Sequence, residues 1–426
     1  MNTGDTAWVL TSAALVLLMT PGLAFFYGGM VRGKNVLNML MMNYITIAVA
    51  GVLWVLVGYT LAFSEGGGLN KFVGGFDNLG LSGTVGELSG TIPLLAFVAF
   101  QGMFAIITPA LFTGSIADRM KFLPFLIIVA VWSLLVYAPV AHWVWGGGWL
   151  SDLGAEDFAG GTVVHANAGA AGLALAIVLG KRKGWPKEPM RPHNLPFVLL
   201  GAALLWFGWF GFNAGSELAA DDTAAIAFVT TNAATAAAML GWVLVEKLRD
   251  GHPTTLGAAS GAVIGLVAIT PACAFVTPVG AIILGLIVGV IGAYAVGLKY
   301  KLGYDDALDV VGVHLVGGVL GALLIGFLGT SAIGGEDGLF YGGGAAQLGK
   351  QAIAVGATVV YSFVVTFILA KVVALLFGGL RVDEDTEVEG LDINLHAETA
   401  YESGTVATGR GPIPTAEARG TKEVSA

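Results

Sequence analysis

Apolar residues in this chain run in long stretches separated by short polar ones. A helix needs about 20 apolar residues to cross a bilayer core. Eleven stretches meet or approach that length: 8–30, 37–63, 92–115, 122–141, 161–180, 197–213, 224–245, 255–271, 278–298, 307–329 and 345–377. The sixth and eighth are short and the eleventh is long. A short span can bury itself within a bundle, and a long one can tilt. The pattern predicts an all-α membrane protein with eleven transmembrane helices over 1–379 and a polar tail over 380–426. The first stretch lacks a basic lead-in, so it reads as a spanning helix and not as a cleaved targeting segment.

The polar loops orient these helices. Alternate loops carry Arg32 and Lys34; Arg119 and Lys121; Lys181, Arg182, Lys183, Lys187 and Arg191; Lys247 and Arg249; Lys299 and Lys301. The opposite loops carry only Lys71, with Lys350 at the edge of the last span. Thirteen basic residues against two place the first set in the cytoplasm. With eleven spans, the N-terminus lies outside and the C-terminus inside.

Two segments align without gaps. In one, Asp157 precedes His165 by eight residues, and Gly169 and Gly172 follow. In the other, Asp306 precedes His314 by eight, and Gly318 and Gly321 follow at the same offsets. The first opens the fifth span from outside; the second opens the tenth span from inside. Two antiparallel copies of five spans make an inverted repeat, about 8–180 and 197–330, with the helix 345–377 left over. Glycines 257, 261 and 265, 285 and 289, and 317 and 321 have the spacing that lets helix backbones approach closely.

Composition narrows the class. Charged residues are 12% of the 426, hydrophobic residues are 56%, and there are 64 glycines. Soluble domains carry about 25% charged residues and about 7% glycine. A soluble globular enzyme, a disordered chain and a disulfide scaffold are all excluded. Cys273 is the only cysteine, so no internal disulfide is possible. The net charge of −9, with no large basic cluster, gives no surface for nucleic acid. No nucleophile–base pairing or phosphate loop marks an enzyme or a cofactor.

Of six histidines, only His165 and His314 fall deep within spans. Eight residues of helix rise about 12 Å, which brings both toward the midplane from opposite faces. Ionisable residues at such depth suggest a function. Two histidines without further ligands do not make a metal site. Desolvation keeps an imidazole neutral, so the pair offers N–H donors and lone-pair acceptors suited to a small neutral molecule. Aromatics gather near the outer ends of spans: Phe100, Phe104, Trp145, Trp209 and Phe212, the last followed by Ser216. Aromatic faces attract small cations, but they also form the ordinary interfacial belt, and composition does not choose between these roles.

Five pieces of the chain resemble the ammonium transporter (Amt/Mep/Rh) family on its bacterial Amt branch. They are Phe26 to Met30, Asp157 to His165, Lys187 to Pro196, Gly208 to Ser216 and Asp309 to His314. The likeness runs from about 21 to 401. It implies a homotrimer with one pore per subunit in the cell membrane, carrying ammonium or ammonia, with methylammonium as an analogue. Trp145 and Ser216, with Phe104 contributing a ring, would form the external ammonium site. Phe104 and Phe212 would be a stacked gate, His165, His314 and Trp209 would line the pore, and Asp157 would organise the outer site. No metal or cofactor is implied.

The tail from 380 carries ten acidic and four basic residues. Residues 389–401 resemble the family's cytoplasmic tail, which implies a regulatory segment to about 402 that contacts a P-II-type signalling protein. The stretch after 403 matches no motif and reads as disordered. A solvated acidic appendage is the other reading of the tail. Three functions remain open: an ammonium conductor, an ammonium sensor signalling through the tail, and a transporter of another small amine or neutral gas. The shortness of the tail favours transport.

Overall fold

The computed structural model describes residues 1–401. Among them, ten helices are long and apolar enough to cross a membrane. These are α1 Thr3–Met30, α2 Gly33–Phe63, α3 Leu94–Ile116, α4 Phe122–Leu153, α5 Gly161–Leu179, α6 Leu195–Glu217, α7 Asp222–Arg249, α9 Pro278–Leu302, α10 Val311–Leu328 and α11 Ala346–Leu376. The eleventh expected crossing, 255–271, is the shorter apolar helix α8, Thr255–Ile269. Its side chains from Gly261 to Ile269 are all buried. Backbone ends that face protein find partners that lipid cannot supply. After it the chain turns at Pro271, whose carbonyl accepts the Phe158 N–H at 3.1 Å.

The paired segments meet at the centre, and their glycines explain how. A Cβ on Gly169 would lie 2.4 Å from the Leu315 nitrogen, and one on Gly318 would lie 2.6 Å from the Gly161 oxygen and 2.8 Å from the Ala166 nitrogen. The glycine four residues after each histidine therefore sits on the residue just after the opposite histidine. The next pair is related in the same way. Gly172 abuts Ser115 near the end of α3, and Gly321 abuts Ala268 on α8. In each repeat the second glycine packs on the third helix of its own half. This reciprocity is the contact pattern of an inverted repeat, and only a hydrogen at those positions allows it. Each histidine also lies in a π-helical turn, Gly161–Ala166 or Val311–Leu315. Such bulges are frequent at functional sites.

The fourth helix departs from its expected end. The sequence suggested a stop near 141, ahead of His142. That residue is fully buried, its ring nitrogens 2.9 and 2.6 Å from the carbonyl oxygens of Ala62 and Asn70. The helix runs on past it to carry Trp145.

Residues 380–401 are docked on the helix ends, with Leu380, Val382, Glu387, Leu391 and Asp392 buried and the acidic outer side exposed. Val382 N–H donates to the Arg119 carbonyl, and the Lys121 N–H donates to Leu380, at 3.0 and 2.8 Å. Two short helices follow, α12 Glu384–Glu389 and α13 Leu391–His396. Asp392 accepts the Leu37 and Asn38 N–H groups at 3.0 and 2.8 Å. Its carboxylate thus caps the start of α2, where unpaired N–H groups and the helix dipole favour an anion. Glu387 accepts the Lys183 N–H at 2.7 Å and pairs with Arg381 at 2.5 Å. The expectation of disorder after 403 lies outside the described residues.

Candidate functional site

The residues singled out in the sequence form one column. Trp145, half-buried at the end of a helical turn of α4, meets Phe104 of α3 edge to face, with ring centroids 6.0 Å apart. Phe104 packs on Phe212 of α6 at 4.3 Å. Phe212 stacks on His165 at 5.9 Å, and His165 on His314 at 5.3 Å with 18° between the planes. Trp209 stacks beside His165 at 5.3 Å. Phe104, Phe212, Trp209 and both histidines are each no more than 2% exposed. Ser216 joins through Phe212, because its hydroxyl donates to the Phe212 carbonyl at 2.8 Å. That bond fixes the hydroxyl and leaves its oxygen lone pairs to accept from a ligand.

The two imidazoles face each other through Nδ1 atoms 3.2 Å apart. One must donate and the other accept. Beyond His314, its Nε2 lies 3.4 Å from the Tyr27 hydroxyl, which donates to the Leu111 carbonyl at 3.0 Å. At the other end, His165 Nε2 has no partner among the described residues. Trp209 is pinned by its indole N–H, which donates to Thr270 at 2.8 Å.

Asp157 lies beside the column without entering it. Its carboxylate accepts four backbone N–H groups, from Gly160, Gly161, Thr162 and Val163, at 2.7 to 2.9 Å. These are the otherwise unpaired donors at the start of α5. Gly160 between them has φ +116°, a conformation that glycine adopts without strain. The Asp157 carbonyl accepts the Trp145 indole N–H at 2.8 Å. One residue thus shapes the turn that aims His165 and also fixes the indole at the mouth.

Two residues of this neighbourhood were not selected from sequence. Tyr27 lay inside a quoted motif, but its hydroxyl gave no sign of reaching α10. Gln351 of α11 binds the residue before Asp157. Its signal was available: an amide inside an apolar helix is uncommon and needs a partner.

Comparison with known proteins gives the family. The model described as Ammonium Transporter Family matches residues 7–401. The chain is 55% identical to a protein named Ammonium transporter from Mycobacterium tuberculosis, over 94% of this chain and 90% of the other. It is 52% identical to one of the same name from Bacillus subtilis, over 94% and 99%. Among solved structures, Candida albicans Mep2 superimposes with a TM-score of 0.85 at 35% identity, covering 90% and 87%. A structure titled Sensor Amt Protein gives 0.86 at 29%, covering 92% and 98%. With its helical fold and a match across nearly all of its length, the chain belongs to the ammonium transporter family.

Proposed function

We propose that the chain conducts ammonium nitrogen across the cell membrane as a homotrimer, one pore per subunit, with its N-terminus outside and its C-terminus in the cytoplasm. The observation that supports this best is the column itself, which leads from a half-buried indole past two buried phenyl rings to a facing pair of imidazoles. Ammonium is held at the mouth by the faces of Trp145 and Phe104 and by the Ser216 oxygen. Cation–π contact contributes about 0.5–2 kcal/mol at such sites. A bare cation is costly to carry into apolar surroundings, so ammonium gives up a proton to water at the mouth before the Phe104–Phe212 gate. Ammonia then moves past Trp209, His165 and His314 and is reprotonated in the cytoplasm.

The hydrogen-bond directions suit that cargo. Tyr27 gives its proton to Leu111, so its oxygen accepts from His314 Nε2–H. His314 Nδ1 is then the acceptor of His165 Nδ1–H. His165 Nε2 is left as a lone pair, open to an N–H of entering ammonia. The docked tail, with Asp392 capping α2 and Glu387 on the Lys183 loop, would report to the pore through those loops. Its acidic surface is where a P-II-type signalling protein would act.

A second reading has one observation in its favour: the likeness to the protein titled Sensor Amt Protein. Liposomes separate the two. Adding ammonium or methylammonium outside should alkalinise the interior if ammonia crosses alone, and should carry a current if the proton crosses with it. A protein that binds but gives neither signal is a sensor. His165→Ala and His314→Ala should each abolish any ammonium-dependent current while sparing some ammonia flux. If both keep full current and unaltered selectivity against potassium, the histidines are packing residues and the pore reading fails.

A further inference from the structure

The turn before Asp157 is held by a residue that belongs to neither repeat. Gln351 lies in the second turn of α11, and its side chain is 1% exposed. Its Oε1 accepts the Glu156 N–H at 2.7 Å, and its Nε2 donates to the Glu156 carbonyl at 2.7 Å and to the Ala322 carbonyl of α10 at 3.0 Å. One side-chain amide thus pairs both polar groups of a single residue, as a neighbouring strand would. Gln347, one turn earlier, donates to the Gly154 carbonyl at 3.2 Å and to Gln351 Oε1 at 3.3 Å, which orients the amide.

These bonds fix the peptide planes on either side of Glu156. The second plane contains the Asp157 nitrogen. Asp157 in turn fixes the Trp145 indole through its carbonyl. Only two steps separate α11 from the ring at the mouth. The clamp is also uncharged.

We propose that Gln351 is a positioning residue for the external cation site, setting the pose of Trp145 through Glu156 and Asp157. The proposal rests on the reading of Trp145 as a capture face. Half-saturation and maximal rate for methylammonium would be measured in liposomes for wild type, Trp145→Leu, Gln351→Met and the double variant. Gln351→Met keeps the length and removes every hydrogen bond. It should raise half-saturation about fivefold with maximal rate kept within about twofold, because capture is loosened and the pore is untouched. The double variant should do no worse than Trp145→Leu alone, since both changes remove the same contact. A role in stability alone would lower maximal rate and folded yield and leave half-saturation unmoved. Unchanged half-saturation in Gln351→Met, or a double variant whose effect multiplies, overturns the proposal. Unchanged half-saturation in Trp145→Leu overturns the capture reading instead. Should Gln351→Met not reach the membrane, Gln351→Asn keeps the polarity but falls one methylene short of Glu156, and the same two outcomes decide.

Discussion

At the outer corner, before α5, Asp157 collects four backbone N–H groups and a neutral glutamine holds the preceding peptide. At the inner corner, before α10, Asp306 accepts one N–H, from Val311, and the Ser115 hydroxyl, at 2.7 and 2.9 Å. The carbonyls there are held by cations. Arg119 donates to the Asp305 carbonyl at 2.6 Å and Lys299 to the Asp306 carbonyl at 2.9 Å. The backbones match even in their unusual angles. Three residues after each aspartate the chain turns left-handed, at Gly160 with φ +116° and at Asp309 with φ +63°. The repeat thus supplies one shape twice, and the two faces differ in charge. Burial alone would raise the Asp305 carboxyl, but the Arg182 guanidinium 2.8 Å away holds it below the usual carboxylate range. In the proposed orientation the basic groups that brace the inner corner face the cytoplasm. At the outer corner an amide braces the peptide instead, and the cation there, Lys350, stands beside the Glu156 carboxyl.

The largest expected difference between the corners is in their aspartates. Asp157→Asn leaves one oxygen for four N–H donors and turns an amide toward two of them. Each buried N–H left without an acceptor costs about 1–3 kcal/mol, so the change should cost about 2–5 kcal/mol. Asp306→Asn can keep both of its bonds, with Oδ1 accepting from Val311 and Nδ2 donating to Ser115, and should cost about 1 kcal/mol. Unfolding midpoints of the two variants in detergent measure this. Equal losses would break the comparison.

The glycines should show the opposite behaviour. Gly169→Ala and Gly318→Ala each push a methyl group against backbone of the other repeat, at 2.4 and 2.6 Å. Overpacking of this kind costs about 1–3 kcal/mol. The two variants should lose similar amounts of stability, because the contacts are images of each other. A large loss in one and none in the other would show that the repeat is not symmetric where it matters.

These two devices differ in how plainly the sequence announces them. The histidines, the aspartates eight residues earlier and the glycines at fixed offsets repeat within one chain, so their pairing could be read from spacing alone. Eleven apolar helices were legible for the same reason, although α8 is too short to cross by itself. Gln351 was not legible as a site residue. A single amide on a long helix says that it needs a partner and nothing about which loop supplies it. Tyr27 was hidden in the same way, because its partner, His314, lies 287 positions away. The tail was set apart as a regulatory segment only from resemblance. Nothing local in residues 380–401 shows that Asp392 caps a helix that starts at the other end of the chain.

The smallest expected effect tests the electrostatics of the outer corner. Burial pushes the Asp157 carboxyl up to about 6 even with four N–H donors on it. Burial pushes Glu156 up to about 7; Glu336 both donates its N–H and repels, and Lys350 opposes the rise. Both carboxyls hold their protons more tightly in the fold than in the unfolded chain, so acidification through this range does not cost stability through these groups. It does remove negative charge beside the capture site, first at Glu156 and then at Asp157. Methylammonium stays protonated throughout, so the ligand itself does not change. Lowering the external pH from about 8 to about 5.5 should raise its half-saturation about twofold to fourfold. Acidifying the cytoplasmic side over the same range should not, because Asp305 stays ionised against Arg182. Glu156→Gln should already behave at pH 8 as if Glu156 were neutral, and its curve should move only near the lower value, where Asp157 titrates. A half-saturation flat across the whole range would mean that the carboxylates shape the corner and their charge does not help to gather the cation.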